Sequence, residues 1–267
     1  MELRFNRLKL KTGVQLHYGT QGHESGDPIM LLHGYPDSWF SYSRILPLLS
    51  TKYRIYILDQ RGFGESERPA SGYEIPDLAN DVLAFMDAIG IKKATIVGHS
   101  MGSFVAQHVA AAAPERVTRL VLVGSGPSLN NDVVRELHKE VNSLHDPIPA
   151  TFVREFQEST VFRPVPVEFM DRVITESLKL PARVWQALIS GFLVQNANAE
   201  LGKISAPTLV MWGERDRIFS RSEQDGLLSA LPNAVFKVYL ETGHDPQWER
   251  PEQFVKDLEE FMSVSTP

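Results

Sequence analysis

Ala94-Thr95-Ile96-Val97-Gly98-His99-Ser100-Met101-Gly102-Ser103 joins a short apolar run to a glycine-flanked polar turn, and an alanine-rich segment then continues to Ala113. The order reads as strand, tight turn and helix, which is the setting a nucleophilic serine needs. Glycines at 98 and 102 remove the side chains that would collide at so sharp a bend. A helix from Ser100 to Ala113 aims the unpaired N–H groups of its first turn at the serine oxygen, and the Met101 N–H can donate to an oxyanion formed there. A Gly-x-Ser-x-Gly string recurs by chance in many proteins, so its weight comes from its surroundings.

Outward from this turn, Ile29-Met30-Leu31-Leu32, Ile55-Tyr56-Ile57-Leu58 and Leu120-Val121-Leu122-Val123 are further continuous apolar runs. Such runs are expected of parallel strands covered on both faces. Between two of them Leu78, Val82, Phe85, Met86 and Ile89 recur at helical spacing before Gly90. Thr208 to Trp212 and Val235 to Leu240 predict two later strands, and Pro251 to Met262 a last helix with Phe254, Leu258 and Phe261 on one face. Leu3 to Leu10 and Val14 to Tyr18 alternate about Lys11-Thr12-Gly13 and predict a hairpin. The alternation of strands and helices implies an α/β class with a doubly wound, mostly parallel sheet. From Gly126 to Leu201 strand-like runs vanish, and prolines at 127, 147, 149, 164, 166 and 181 punctuate helical stretches. The expectation is a core of residues 1–126 and 202–267 with a helical cap, 127–201, inserted into it.

Composition narrows the function. The chain has 267 residues, 43% of them hydrophobic and 22% charged, which suits one globular α/β core with an insertion. Lys plus Arg number 27 against 33 Asp plus Glu, a net charge of −6 that argues against nucleic acid or an anionic membrane as partner. With no cysteine, disulfides, thiolate metal sites and cysteine nucleophiles are excluded. Met1-Glu2-Leu3-Arg4-Phe5-Asn6-Arg7 lacks the apolar stretch of a signal peptide, and no run reaches membrane-spanning length, so a cytoplasmic location is the expectation. No metal or cofactor motif stands out: His-Glu-x-x-His, a calcium loop, a phosphate-binding Gly-x-x-x-x-Gly-Lys and a dinucleotide fingerprint are all missing.

Five motifs in order carry a resemblance over nearly the whole chain. His33-Gly34-Tyr35-Pro36 follows the third predicted strand and Asp59-Gln60-Arg61-Gly62-Phe63-Gly64-Glu65-Ser66 the fourth; then come the serine turn, Trp212-Gly213-Glu214-Arg215-Asp216 and Gly243-His244-Asp245-Pro246. Together they resemble the α/β-hydrolase fold superfamily, serine hydrolases of carboxylesterase type with a helical cap. The resemblance implies an eight-stranded sheet, Ser100 as nucleophile, and an oxyanion hole from the backbone N–H groups of Tyr35 and Met101, each worth about 3 kcal/mol in the transition state.

A serine and a histidine act as a pair only when a carboxylate fixes the imidazole. Asp216, just beyond a predicted strand end, is the expected acid; Glu214 is the alternative, and Asp245, next to His244, is expected to point elsewhere. Where some relatives carry the acid after the sixth strand, this chain reads Gly124-Ser125-Gly126. Of eight histidines, His17, His23, His138 and His145 are expected at or near the surface, and His108 lies too far along its helix. His33 and His99 are expected to orient loops, which leaves His244, at the family position of the general base.

The loop His33 to Trp39 resembles that of epoxide hydrolases and haloalkane dehalogenases, but those use an aspartate nucleophile where this chain has Ser100. Hydrolases of carbon–carbon bonds in ring-cleavage products use serine and commonly carry a second glycine where Ser103 stands. Proline iminopeptidases share the Asp-Gln-Arg-Gly turn, though their glycine-rich oxyanion loop is missing. The expected substrate is a small to medium apolar ester or lactone, cleaved through an acyl-enzyme with no cofactor and no metal. Carbon–carbon hydrolysis, perhydrolysis, a hydroxynitrile-lyase-like activity and a small-molecule receptor are the alternatives. Trp39, Phe104, Trp185 and Phe192 are candidates for the pocket wall, and the sequence leaves the oligomeric state open.

Overall fold

Alternate residues of each apolar run face opposite sides of one sheet. The computed structural model describes residues 2–194 and 198–264. Strands β1 (Arg4–Lys9), β2 (Gln15–Gly22), β3 (Asp27–Leu32), β4 (Tyr53–Leu58), β5 (Ala94–His99), β6 (Val117–Val123), β7 (Thr208–Gly213) and β8 (Val235–Tyr239) form an eight-stranded sheet in the order β1-β2-β4-β3-β5-β6-β7-β8. β1 pairs antiparallel with β2 and β2 antiparallel with β4; every other pairing is parallel. β2 runs on past Tyr18 to Gly22, where its residues pair with Leu58 through Arg54. Polar Thr20 and Gln21 hide that extension from any reading of hydrophobic pattern.

The helices are α1 (Ile75–Ala88), α2 (Met101–Ala112), α3 (Asp132–Asn142), α4 (Ala150–Thr160), α5 (Val167–Ser177), α6 (Ala182–Gly191), α7 (Arg221–Ala230), α8 (Pro246–Glu249) and α9 (Pro251–Ser263). Met30, Leu32, Ile96 and Leu122 pack toward Phe85 of α1 and Phe104 of α2. Ile29, Leu31, Val97 and Val121 face the other way, toward Phe254 and Leu258 of α9. Burial on both faces is what made these strands continuous apolar runs. None of the helices among the described residues is long and apolar enough to cross a membrane.

Helices α3 to α6 all lie between β6 and β7. Three of the six prolines that break the sequence pattern there stand at helix starts, with Pro149, Pro166 and Pro181 as the N-cap residues of α4, α5 and α6. A proline constrains the entering chain while sacrificing no intrahelical hydrogen bond. Residues 195–197, within the segment 127–201, lie outside the described residues, as do Met1 and residues 265–267.

The bend between β5 and α2 leaves no room for side chains at its two glycines. A methyl group on Gly98 would stand 2.2 Å from the Gly102 carbonyl oxygen, and one on Gly102 would stand 2.2 Å from that of Leu32. Both obstacles are backbone atoms, one in the first turn of α2 and one at the end of β3, and neither can swing away. Gly102→Ala is therefore expected to lose about 2–3 kcal/mol in urea unfolding, at the upper end of overpacking costs. Gly202→Ala, where nothing lies within 4 Å, is the control and should stay within about 0.5 kcal/mol of wild type. Equal stability of the two variants would contradict this account of the bend.

Candidate active site

Ser100 sits at the top of the bend with φ 50° and ψ −123°, a left-handed region that non-glycine residues rarely occupy. Its N–H donates to the Val123 carbonyl at 2.9 Å, and its own carbonyl accepts from the Ser103 N–H at 2.8 Å and the Ser103 hydroxyl at 2.6 Å. Ser103 Oγ also lies 2.7 Å from Ser125 Oγ, to which Gln107 Nε2 donates. The exit of β6, which offers no carboxylate, thus braces the first turn of α2. Met101 begins that helix, so its N–H has no carbonyl within the helix to bond. The Tyr35 loop lies beside it: a methyl on Gly34 would stand 3.1 Å from Ser100 Cβ.

Asp216 follows β7 and is held by its neighbours. Its Oδ1 accepts from the Ile218 and Phe219 N–H groups at 2.7 and 3.1 Å, which leaves Oδ2 for His244 Nδ1 at 2.8 Å. A carboxylate partner assigns the hydrogen of the neutral imidazole to Nδ1 and the lone pair to Nε2. Nε2 is buried and has no hydrogen-bond partner. The ring fits because Gly124 has no side chain: a methyl there would stand 2.8 Å from His244 Cε1. Glu214 is far less engaged, with one oxygen 3.4 Å from the Glu241 N–H on the exposed side of the loop.

Ser100, Met101, His244 and Tyr35 line one cavity of about 40 Å³, room for one or two waters. Asp216 stands behind His244. Apolar side chains from the helical segment, among them Leu129, Val134, Phe156, Ile189 and Phe192, close the far wall. Of the four aromatics expected in that wall, only Phe192 reaches the cavity. Trp39 packs on Phe5 and Phe40 at the first strand, Phe104 is buried against Phe219, and Trp185 stands one layer back behind Tyr35 and Phe156. In each case the ring packs on other aromatic side chains instead.

Several polar side chains at the cavity escape any reading for catalytic motifs. Asp37 Oδ1 accepts from Gln157 Nε2 at 3.0 Å and Asp245 Oδ1 lies 3.2 Å from His99 Nε2. Asp245, expected to point elsewhere, is 1% exposed at the N-cap of α8 and lines the cavity. His17 is likewise buried, 2.7 Å from Asp59, since β1 and the turn after β4 cover it. A signal for Gln157 and Thr160 did exist: with Val153 they form the buried stripe of α4 at spacings of four and three, so two polar residues occupy an inward face. Glu249 Oε1 accepts from Gly243 N–H at 2.8 Å, and its Oε2 from Phe162 and Arg163 at 3.2 and 2.7 Å. His244 N–H donates to the Thr160 carbonyl at 2.8 Å. The end of α4 and the histidine loop are therefore tied together through backbone groups.

Comparison with known proteins places this arrangement among relatives. A family model described as alpha/beta hydrolase fold matches residues 27–251. A 2-hydroxy-6-oxononadienedioate/2-hydroxy-6-oxononatrienedioate hydrolase of Paraburkholderia xenovorans is 27% identical, over 97% of this chain and 95% of its own. The protein of that name from Paraburkholderia phymatum is 30% identical over 96% and 94%. An esterase from Exiguobacterium antarcticum shares the fold with a TM-score of 0.88, covering 98% of this chain and all of that one at 21% identity.

Burial dominates the ionisation of the cavity. Desolvation pushes Asp37 up to about 7 and Asp245 to about 8. Desolvation also works to lower His244, but the Asp216 carboxylate overrides it and carries the imidazole up to about 9. All three groups hold a proton more tightly folded than unfolded. The stability they contribute is full at low pH; that of the carboxyls is lost from their ordinary value of 3.8 upward through about 7 and 8, and that of His244 from 6.5 through about 9. The melting temperature is expected to fall on going from pH 5 to pH 9. A rise over that interval would contradict these assignments.

Proposed function

The chain belongs to the α/β-hydrolase fold family, and on that premise we propose that it is a serine hydrolase of uncharged carboxylic esters or lactones, with Ser100 as nucleophile, His244 as general base and Asp216 as the orienting acid. The observation that carries this reading is the Asp216–His244 contact of 2.8 Å beside a serine held at φ 50°, with serine and histidine on one cavity. His244 in its neutral form, whose share grows as pH approaches 9, takes the Ser100 proton at Nε2 as Oγ attacks the acyl carbon, the alcohol leaves with that proton, and water then hydrolyses the acyl-enzyme by the same route. The N–H groups of Tyr35 and Met101 stabilise the oxyanion, by about 3 kcal/mol each. Residues 127–201 act as a cap. Because α3, α4 and α6 supply the apolar wall of the cavity, outward movement of these helices is the proposed route by which substrate enters.

Carbon–carbon hydrolysis with the same residues is the second reading, favoured by relatives at 27% and 30% identity whose names specify it. Their named substrates are dioates, carrying two carboxylates. The described residues lining this cavity include no lysine or arginine and do include Asp37 and Asp245, a poor setting for a dianion. That contrast supports the ester over the dioate.

Ser100→Ala is expected to reduce p-nitrophenyl butyrate hydrolysis to background, and Asp216→Asn to lower kcat by about 10⁴ by stabilising the wrong imidazole tautomer. Glu214→Gln should remain within about twofold of wild type, as for a surface side chain. Loss of activity in Glu214→Gln with survival in Asp216→Asn would overturn the choice of acid. Faster turnover of 2-hydroxy-6-oxononadienedioate than of butyrate esters would decide for carbon–carbon hydrolysis.

A further inference from the structure

A peptide unit is one conjugated group, so a donor that draws electrons onto the carbonyl oxygen of one residue makes the N–H of the next a stronger donor in its turn. The Tyr35 N–H shares its peptide with the Gly34 carbonyl, and the Met101 N–H shares one with the Ser100 carbonyl. Both carbonyls accept twice. That of Gly34 takes the Asp37 N–H at 3.0 Å and lies 2.7 Å from His33 Nδ1. That of Ser100 takes the Ser103 N–H at 2.8 Å and the Ser103 hydroxyl at 2.6 Å. Each of the two peptides therefore carries one backbone donor and one side-chain donor on its oxygen.

The partners fix where the hydrogens lie. A carbonyl can only accept, so His33 Nδ1 carries a hydrogen, and the Gln60 N–H approaches Nε2 at 3.2 Å, which makes that nitrogen the acceptor. The Ser103 hydroxyl has one hydrogen and two oxygens in reach, the Ser100 carbonyl at 2.6 Å and Ser125 Oγ at 2.7 Å. The carbonyl contact requires that hydrogen, whereas Ser125 brings one of its own, and Gln107 Nε2 donates to Ser125 Oγ at 3.0 Å. His33, Ser103, Gln107 and Ser125 are all fully buried, and hydrogen bonds polarise one another more strongly in such surroundings than in water. Among the described residues nothing accepts from the N–H of Tyr35 or of Met101, so the strengthened end of each peptide is left for a ligand.

We propose that His33 and Ser103 are positioning residues that polarise the two oxyanion-hole peptides from behind, so that the Tyr35 and Met101 N–H groups hold developing negative charge more tightly. The proposal rests on the reading of those N–H groups as the oxyanion donors. It goes beyond that reading by giving an electronic role to two side chains that otherwise only brace the loop after β3 and the turn before α2. Neither acts by touching the substrate; each acts through the peptide it bonds. Strengthening by roughly 10–30% of a donor whose loss costs about 10²–10³ in rate corresponds to about a two- to eightfold effect at each peptide.

The test compares acylation by p-nitrophenyl butyrate with acylation by its thiono analogue, in which sulfur, a weak hydrogen-bond acceptor, replaces the carbonyl oxygen. Single turnovers with the protein in excess, followed by p-nitrophenolate release, keep the slower thionoester measurable. A weakened oxyanion hole slows the oxoester more than the thionoester, whereas a displaced Ser100 slows both alike. Ser103→Ala, which keeps the backbone donor, and His33→Leu should each lower the oxo-to-thiono rate ratio about twofold or more, and the double variant about fourfold or more, because the two peptides are separate. His33→Asn, which offers an amide N–H in place of the Nδ1–H, should lie closer to wild type than His33→Leu does; an Asn variant no better than Leu would overturn the part assigned to His33. If His33→Leu fails to fold, Ser103→Ala decides alone. A ratio that falls less than twofold in Ser103→Ala, even with a large loss of oxoester rate, reduces the side chain to a brace and overturns the proposal. Wild-type release of p-nitrophenolate with that result leaves the hydrolase standing, whereas no release from either ester in the wild type overturns both.

Discussion

The backbone reversal at Ser100 is the constraint on which the rest of the site depends. A non-glycine residue at φ 50° is strained by about 1–3 kcal/mol and persists only where its surroundings over-determine it. Here they do so from three sides. β6 accepts the Ser100 N–H, Ser103 ties down its carbonyl, and the contact of Gly102 with the Leu32 carbonyl leaves no room to relax. The reversal lifts the serine oxygen above the carboxyl edge of the sheet, where the loops after β3, β7 and β8 also end. The sheet order, with β5 beside β3 and β6, makes that convergence geometric rather than accidental.

A second dependence joins the helical segment to the histidine loop. The Thr160 carbonyl takes the His244 N–H, and Glu249 takes three backbone N–H groups from the two sides at once. Movement of α4 therefore cannot be independent of the position of the imidazole. In the proposed mechanism the closed state, with the end of α4 seated on the loop, is the one in which Nε2 stands buried beside the serine turn.

Much of this architecture was legible in the chain itself. The strands buried on both faces announced themselves as unbroken apolar runs, and the serine turn was marked by two glycines whose necessity the backbone contacts explain. The part of β2 from Thr20 to Gly22 was not legible, because its pairing with β4 follows from neighbours in space and not from hydrophobic alternation. Aromatic residues misled in the opposite way. Trp185 and Phe104 have the size and character of a pocket wall, but a ring packs equally well one layer deeper, and sequence carries no measure of depth. Asp37, Gln157 and Asp245 were missed as a group because they meet from three distant elements, although polar Gln157 on the inward stripe of α4 was a readable anomaly.

The central claim is that Ser100 is a nucleophile activated through His244. Intact and peptide mass after exposure to a fluorophosphonate tests it most directly, since the adduct forms only on an activated serine and needs no knowledge of the natural substrate. The account predicts a single adduct, located on the peptide that holds Ser100 and lost in both Ser100→Ala and His244→Ala. No adduct on the folded protein, or an adduct that persists in Ser100→Ala, would contradict it.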